Sequence, residues 1–187
     1  SGPSSSPSST SPDLFDIGGL RRRPPASSLA LLCLHPPCAS GGMFEATRFA
    51  RPCEVSRTTI ANYLTALEAT FVVHIIRPFS AHRPTEIVSA PKVYAFDTGF
   101  VCSHRGWHQL RREDLGMLWE HFVLNEIHAR SQSRQVFYWR DKRGHEVDFV
   151  VARRGRPPIA VECKWSADEC DAADLQAFRR QHPLGQN

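Results

Sequence analysis

The sequences EVDFVVA at residues 146–152 and IAVECKW at residues 159–165 decide the fold, because both are rich in β-branched and aromatic residues. A turn-forming segment, residues 154–158, separates them, so the two predicted strands can pair as a hairpin. A third strand-like stretch, residues 135–140, precedes them. The local order therefore predicts a β-sheet in the second half of the chain.

Three ionisable side chains fall on one part of this predicted hairpin. Because alternate residues of a strand project to the same face, Glu162 and Lys164 point together, and Asp148 on the preceding strand can lie beside them. Carboxylate oxygens suit Mg²⁺ or Mn²⁺, and a neighbouring lysine can help to position or deprotonate a water and to neutralise developing phosphate charge. The pattern outlines a metal-assisted phosphodiester hydrolysis site. In the alternative, Glu162 and Lys164 form an ion pair without metal and Asp148 caps a turn.

A helix is predicted over residues 114–130, before these strands. Its apolar residues recur at helical spacing, and they are Leu115, Leu118, Trp119, Phe122, Val123 and Ile127. One helix followed by three strands favours an α/β (α+β) fold with the helix on one face of a mixed sheet.

This helix carries two candidate acids. At 100° per residue from Leu115, the apolar stripe centres at about 40°, Glu126 falls at about 20° and Glu120 at about 140°. We therefore expect Glu126 on the face that packs against the sheet, either as a hydrogen-bonded buried acid or as a substitute metal ligand.

The first half of the chain predicts two helices joined by a tight turn, at residues 44–51 and 56–70, with Ser56 as N-cap. A β-branched run at 71–76 follows, and this order is typical of a winged helix-turn-helix. DNA contact would use the second helix and Arg57. That helix carries little positive charge, so a packing or partner-docking role is the alternative.

Several phrases resemble a known family. Gly116 to Glu120, Glu146-Val147-Asp148 and Glu162-Cys163-Lys164 are similar to the GxxxE, EVD and (D/E)xK elements of PD-(D/E)xK nucleases. More closely, residues from about 13 to 178 resemble the C-terminal region of bacterial and archaeal AAA-type ATPases that carry domain of unknown function 4143. The phrases that carry this resemblance are VSRTTIANYL, APKVY, FDTG and YWR.

The resemblance implies a winged helix-turn-helix followed by a nuclease-like α/β domain, a mixed sheet flanked by helices, normally preceded by an ATPase module. It makes Glu120, Asp148 and Glu162 the metal-binding acids and Lys164 the catalytic lysine, with Mg²⁺ or Mn²⁺ as cofactor. The chain has no GxxxxGK[ST] loop, so we expect no ATP-binding site in it and place the ATPase module in cis or in trans.

The predicted organisation has four parts. Residues 1–12 are a disordered Ser/Pro tail, 13–42 a connecting arm with a short helix at 28–35, 43–104 the winged-helix-like segment with linker strands, and 105–187 the nuclease-like domain. The longest apolar run, residues 29–34, is too short for a membrane helix, and six cysteines without a CxxC pair favour a reducing cytoplasm.

Positive charge is concentrated near the predicted strands. Residues 134–164 hold eight basic and four acidic side chains, a surplus of four positive charges. Arg140, Lys142 and Arg143 are candidate DNA contacts, and Trp139 is a candidate stacking residue, although two solvated turns would give the same pattern. The sequence thus favours a DNA-associated, nuclease-like region of an AAA-type ATP-binding protein. The alternative is a non-enzymatic docking or regulatory module of the ATPase with a degenerate nuclease fold.

Overall fold

The computed structural model describes residues 41–187 except 52, 80–89, 132–134, 167, 169 and 170. The predicted tail and the helix expected at 28–35 lie outside the described residues. The described helices are α1 (Ala46–Ala50), α2 (Arg57–Ala69), α3 (Thr98–His104), α4 (Arg112–Ser131) and α5 (Ala173–Gln181). The described strands are β1 (Gly42–Met43), β2 (Val73–Pro78), β3 (Lys92–Ala95), β4 (Val136–Arg140), β5 (Glu146–Arg153) and β6 (Arg156–Val161).

The six strands form one mixed sheet in the order β1-β3-β2-β4-β5-β6. The β2–β4 pair is parallel and the other neighbours are antiparallel. The mixed α/β class is therefore confirmed. Strands from both sides of the predicted boundary at residue 104 join this sheet.

Helices cover both faces of the sheet, in agreement with a mixed sheet flanked by helices, whereas the order of one helix and three strands had placed only α4 on it. On one face, Leu124 of α4 packs with Tyr138 and Phe149. On the other face, Phe178 of α5 packs with Trp139, their ring centroids 5.4 Å apart. A strand buried on both faces reads as a continuous apolar run, so its sequence does not reveal that a second helix covers it.

The N-terminal helices follow the predicted pattern. The Ser56 hydroxyl accepts a hydrogen bond from the backbone N–H of Thr59 at 3.0 Å and caps α2. The apolar stripe of α2 is buried against Phe49 and Ile75, and it consists of Ile60, Tyr63, Leu64 and Leu67. Both helix predictions are confirmed.

The long helix α4 is rotated relative to its apolar stripe. Leu124 is fully buried, whereas Phe122, a member of the predicted stripe, is 50% exposed. Glu126 retains 42% of its side-chain exposure and pairs with Arg130 at 2.9 Å. The expectation that Glu126 lies on the sheet-facing side is therefore wrong, since the helix presents Leu124 to the sheet and leaves part of its aromatic surface in solvent. No helix in the described ranges is long and apolar enough to span a membrane.

Candidate active site

The candidate site lies where the start of β5, the end of β6 and the start of β3 face α4. Strand β5 contributes Asp148, the segment just after β6 contributes Glu162 and Lys164, and α4 contributes Glu120. The predicted strand at 159–165 ends at Val161, so Glu162 and Lys164 follow the strand rather than extend it. This corrects the expected geometry, although the two side chains still meet.

An irregularity in β5 directs Asp148 towards α4. Val147 pairs with Trp139 and Val150 with Phe137, so three steps along β5 oppose two along β4. Such a bulge breaks the alternation of side chains between the two faces. Val147 packs on the α5 face and Phe149 on the α4 face, while Asp148 reaches the ion-pair cluster next to α4.

A buried lysine organises the acids, and the sequence reasoning missed it. The ammonium of Lys92 lies 2.5 Å from Glu146 Oε1, 3.7 Å from Glu120 Oε1 and 3.8 Å from Asp148 Oδ1. Its side chain is only 6% exposed. Burial disfavours the charged form, but the three carboxylates outweigh it and raise the pKa of Lys92. The available signal was a charged residue at the first position of an apolar strand, on the same face as Tyr94.

Glu120 is held by the sheet. The Tyr94 hydroxyl donates a 2.5 Å hydrogen bond to Glu120 Oε1, the oxygen that also faces Lys92. Burial, followed by the charge of Asp148, raises the pKa of Glu120. Within the described ranges, no three His, Cys, Asp or Glu side chains are grouped so that they could hold a metal ion. The contacts of Glu120 Oε1 are therefore with two side chains of the sheet, the Lys92 ammonium and the Tyr94 phenol.

Glu162 presents a different environment. Its side chain is 6% exposed, and Oε1 accepts a 2.6 Å hydrogen bond from the Lys164 ammonium. The second oxygen, Oε2, is buried without a hydrogen-bond partner in the part of the chain that is described. Burial, and then the charge of Asp148, raises the pKa of Glu162. A buried carboxylate oxygen without a donor is costly unless a cation satisfies it.

Asp148 belongs both to the acids around Lys92 and to the surroundings of the Glu162–Lys164 pair. Its Oδ2 accepts a 2.8 Å hydrogen bond from the backbone N–H of Cys163, which fixes it beside Glu162. Burial raises the pKa of Asp148 despite that bond and the nearby lysines. Two carboxylates, one with an unsatisfied oxygen, are the donor type that Mg²⁺ and Mn²⁺ prefer. Asp148 and Glu162 therefore fit a divalent cation chemically.

The surface around the site is basic and aromatic. Arg140, Lys142 and Arg143 are exposed at the β4–β5 turn, and Arg140 Nε lies 3.7 Å from Glu146 Oε2. Arg57 is exposed at the start of α2, on a separate element. The prediction that Trp139 offers a stacking surface is wrong, because this side chain is 1% exposed and packs under α5.

A different aromatic surface adjoins the site. Trp119 stacks on Phe122 with ring centroids 5.5 Å apart, and its centroid lies 6.0 Å from that of Trp165. Phe122 and Trp165 are 50% and 47% exposed. Trp119 precedes Glu120 in the chain and Trp165 follows Lys164, so the aromatic group flanks the candidate residues.

Comparison with known proteins gives two family matches and two relatives. Residues 115–186 match the family described as a domain of unknown function, DUF4143, which confirms this part of the resemblance, and residues 13–111 match a different one, DUF8612. An uncharacterized protein of Mycobacterium bovis, Mb2031c, and an uncharacterized protein of Mycobacterium tuberculosis, Rv2008c, are each 31% identical over 146 residues. The aligned part is 76% of this chain and 33% of each relative, so the chain spans about a third of the curated relatives that it matches. No solved structure matches the chain.

The DUF8612 match covers more than half of the sequence and includes α1 to α3 and the first three strands. The DUF4143 match covers most of α4, strands β4 to β6 and α5, and therefore Glu120, Asp148, Glu162 and Lys164. The chain belongs to the family described as domain of unknown function DUF8612 and carries a DUF4143 match in its second half.

Proposed function

We propose that this chain is the DNA-associated, nuclease-like C-terminal region of an AAA-type ATP-binding protein and that it hydrolyses phosphodiester bonds with Mg²⁺ or Mn²⁺. The observation that carries the proposal is the buried, unpartnered Oε2 of Glu162, next to Asp148 and a lysine ammonium. This combination supplies negative oxygen ligands for a cation and positive charge for a phosphate.

Each side chain has a distinct role in this proposal. Asp148 and Glu162 would hold the ion, which when bound supplies a Lewis acid and a more acidic water. The N–H of Cys163 keeps Asp148 in place. The hydrogen bond to Glu162 raises the pKa of Lys164, so its amine stays protonated and stabilises negative charge on the phosphate rather than acting as a base.

Glu120 has a positioning role. Tyr94 and Lys92 hold the Glu120 carboxylate in a fixed position. The carboxylate would therefore add negative charge at the site without binding the ion itself. Its field helps to retain the positive charge of Lys92 beside Asp148.

DNA association would use two surfaces. The exposed cations Arg140, Lys142 and Arg143 lie near the acids and suit phosphate contact, and Trp165 with Phe122 suits base stacking. The α1–α2 pair and the β2–β3 hairpin would act as a winged helix, with Arg57 contacting the backbone. We place the protein in the cytoplasm with the ATPase module in cis or in trans, and the free thiols of Cys53, Cys102 and Cys163 agree with a reducing compartment.

A cleavage assay tests the hydrolytic claim. Labelled single-stranded and double-stranded DNA would be incubated with the chain in Mg²⁺, in Mn²⁺ and in EDTA. We expect metal-dependent cleavage by the unmodified chain and loss of at least a hundredfold in Asp148→Ala and Lys164→Ala. Glu113→Gln, which changes an exposed acid that pairs with Arg111 at the start of α4, is the matched control and should retain cleavage. Equal cleavage by all variants, or none by any, removes the enzymatic claim.

Two observations favour a second candidate function, a non-enzymatic docking or regulatory module. In the described ranges no group of three ligands could hold a metal, and Lys164 is closed onto Glu162 at 2.6 Å. In this alternative the ion pair is structural, as partly buried pairs often are. It predicts no Mn²⁺ binding in calorimetry together with retained association with an ATPase module, whereas the nuclease proposal predicts Mn²⁺ binding.

A further inference from the structure

Strand β2 is paired along only part of one of its two edges. On the β3 side, pairing extends from Val73 to Ile76. On the β4 side, pairing in the described ranges begins only at Arg77, which lies opposite Phe137. The first four residues of β2 therefore have a strand on one side and an open edge on the other.

The hydrogen bonds to β3 show which backbone groups face the open edge. The N–H of Phe96 donates to the carbonyl of Val72 at 3.1 Å. In an antiparallel pair, the residues that bond to a given neighbour alternate along the strand, so every second residue counted from Val72 bonds to β3. The N–H and C=O groups of Val73 and Ile75 therefore point towards the β4 side. An open edge of this kind is a template for a further strand.

A cavity of about 480 Å³ lies along this edge. Residues 73–77 of β2 line it together with the start of β4, the end of α2 and His128 of α4. Val73 and Ile75 pack with α2, whereas Ile76 packs with α4 on the other face of the sheet. Because residues of both faces line one cavity, the cavity is a gap in the plane of the sheet.

Two half-exposed aromatic side chains border the gap. Phe71 and Phe96 are 57% and 50% exposed, and both line the cavity. Phe71 has a φ of 59°, a left-handed conformation that is costly for a bulky residue. It ends α2 in a Schellman pattern, in which its N–H donates to Glu68 and the next N–H donates to Leu67. Glycine would end the helix without this cost, so the aromatic side chain fits a role in binding at the gap.

The charged side chains that line the gap neutralise each other. Arg77 Nη2 lies 3.1 Å from Glu68 Oε2, and a second hydrogen bond joins Nη1 to Oε1 at 3.2 Å. The other described lining residues are apolar or histidine. An uncharged segment therefore suits this gap better than a charged one.

We propose that the gap takes an extended apolar segment of another polypeptide, which pairs with the backbone of Val73 and Ile75 as an added strand in line with β4. The open part of β2 spans about 13 Å, which suits a segment of about four or five residues. Alternate side chains of the segment would face Phe71 on the α2 side and Phe96 on the other, which favours β-branched residues. The proposal does not rest on the proposed hydrolysis, because the described residues of that site do not line the gap.

Amide hydrogen exchange, measured by NMR on the full chain, tests the proposal. Without a ligand, the N–H groups of Val73 and Ile75 should exchange about tenfold faster than that of Ile76, which bonds to β3. The probe is a hexapeptide of alternating valine and threonine with blocked ends. It should slow exchange at Val73 and Ile75 about tenfold and leave Ile76 unchanged. The same peptide methylated on every backbone nitrogen keeps the side chains but cannot donate, and it should have no effect.

Two variants give a second measurement, the fluorescence anisotropy of the labelled hexapeptide. Val73→Pro removes an N–H that points into the gap and should abolish binding, whereas Val73→Thr keeps the N–H and should bind as the unmodified chain does. If Val73→Pro does not fold, the exchange data on the unmodified chain decide.

Three results would overturn the proposal. They are unchanged exchange in the presence of the hexapeptide, an equal effect of the methylated peptide, and protection that rises with protein concentration alone, which would assign the gap to a second copy of the chain. Failure of DNA cleavage leaves all of these readouts unaffected, so the two proposals fail separately.

Discussion

The Tyr94 hydroxyl donates a 2.5 Å hydrogen bond to Oε1 of Glu120, a residue 26 positions later in the chain. Burial and the neighbouring acids raise the pKa of Tyr94, so the phenol stays protonated and remains a donor. The bond joins the third strand of the chain to the long helix across the face that carries the candidate site. The position of Glu120 therefore depends on the packing of α4 against the sheet.

Replacing this donor should destabilise the fold. Tyr94→Phe leaves a buried carboxylate oxygen with one donor fewer, and hydrogen bonds to charged groups contribute about 1.5–3 kcal/mol. We expect the free energy of urea unfolding to fall by about 2 kcal/mol. Tyr138→Phe is a matched control, since Tyr138 is equally buried but donates to the neutral carbonyl of Ala90 at 2.7 Å. The Tyr138 variant should lose less, about 1 kcal/mol, and a reversed order would contradict this account of Glu120.

Acid should weaken the start of α4 through Asp114. Hydrogen bonds from Arg111, at 3.1 Å from its backbone N, Nε and Nη2, hold the pKa of Asp114 below its usual range. A carboxyl whose pKa is lower in the folded state stabilises the fold above its unfolded pKa, and this contribution is lost as the pH falls towards the folded value. The stability difference between the unmodified chain and Asp114→Asn should be constant from about pH 5 to 8 and shrink below about pH 4. Chemical denaturation at each pH measures it, and a difference that grows in acid would reverse the assigned sign.

The exposed cations at the β4–β5 turn should set the salt dependence of DNA binding. Each phosphate contact contributes about 0.9 to the slope of log K against log salt for duplex DNA. Lys142→Ala with Arg143→Ala should therefore reduce that slope by about 1.8. Fluorescence anisotropy with duplex DNA measures the slope, and Arg130→Ala with Arg180→Ala removes two exposed cations elsewhere as the control. Equal slopes for the two double variants would place the DNA on another surface, which Arg57→Ala then tests.

Trp165 should contribute to the binding of single strands. A base stacked on an aromatic side chain contributes about 1–3 kcal/mol, so Trp165→Ala should weaken binding of single-stranded DNA about tenfold. Leu184→Ala is the control, because Leu184 is 71% exposed and far along the chain from the site residues. If Trp165→Ala weakens the binding of duplex and of single-stranded DNA equally, the aromatic group does not stack on bases.

Local patterns predicted most of the elements. Ser56 caps α2 as its position before an apolar stripe indicates, and Asp97 accepts a 2.6 Å hydrogen bond from the N–H of Gly99 and caps α3. Such short-range hydrogen bonds depend only on neighbouring residues, so the sequence contains what is needed to predict them.

The orientation of α4 and the role of Lys92 required the three-dimensional structure. Phe122 belongs to the apolar stripe of α4 but remains half exposed. The sequence does not reveal this, because surface aromatic residues at helical spacing have the same periodicity as core residues. Lys92 meets Glu146 across 54 positions of sequence, and the bulge in β5 decides that Asp148 joins them. Neither the contact between distant strands nor the bulge has a local pattern that would predict it.

The most direct test of the proposed site is Mn²⁺ binding to the unmodified chain and to Glu162→Gln, measured by electron paramagnetic resonance. The substitution keeps the shape of the side chain and removes the charge from the buried oxygen that lacks a partner. The account predicts one saturable Mn²⁺ ion in the unmodified chain and a loss of affinity of at least tenfold in the variant. Absent or equal binding in the two proteins would contradict it.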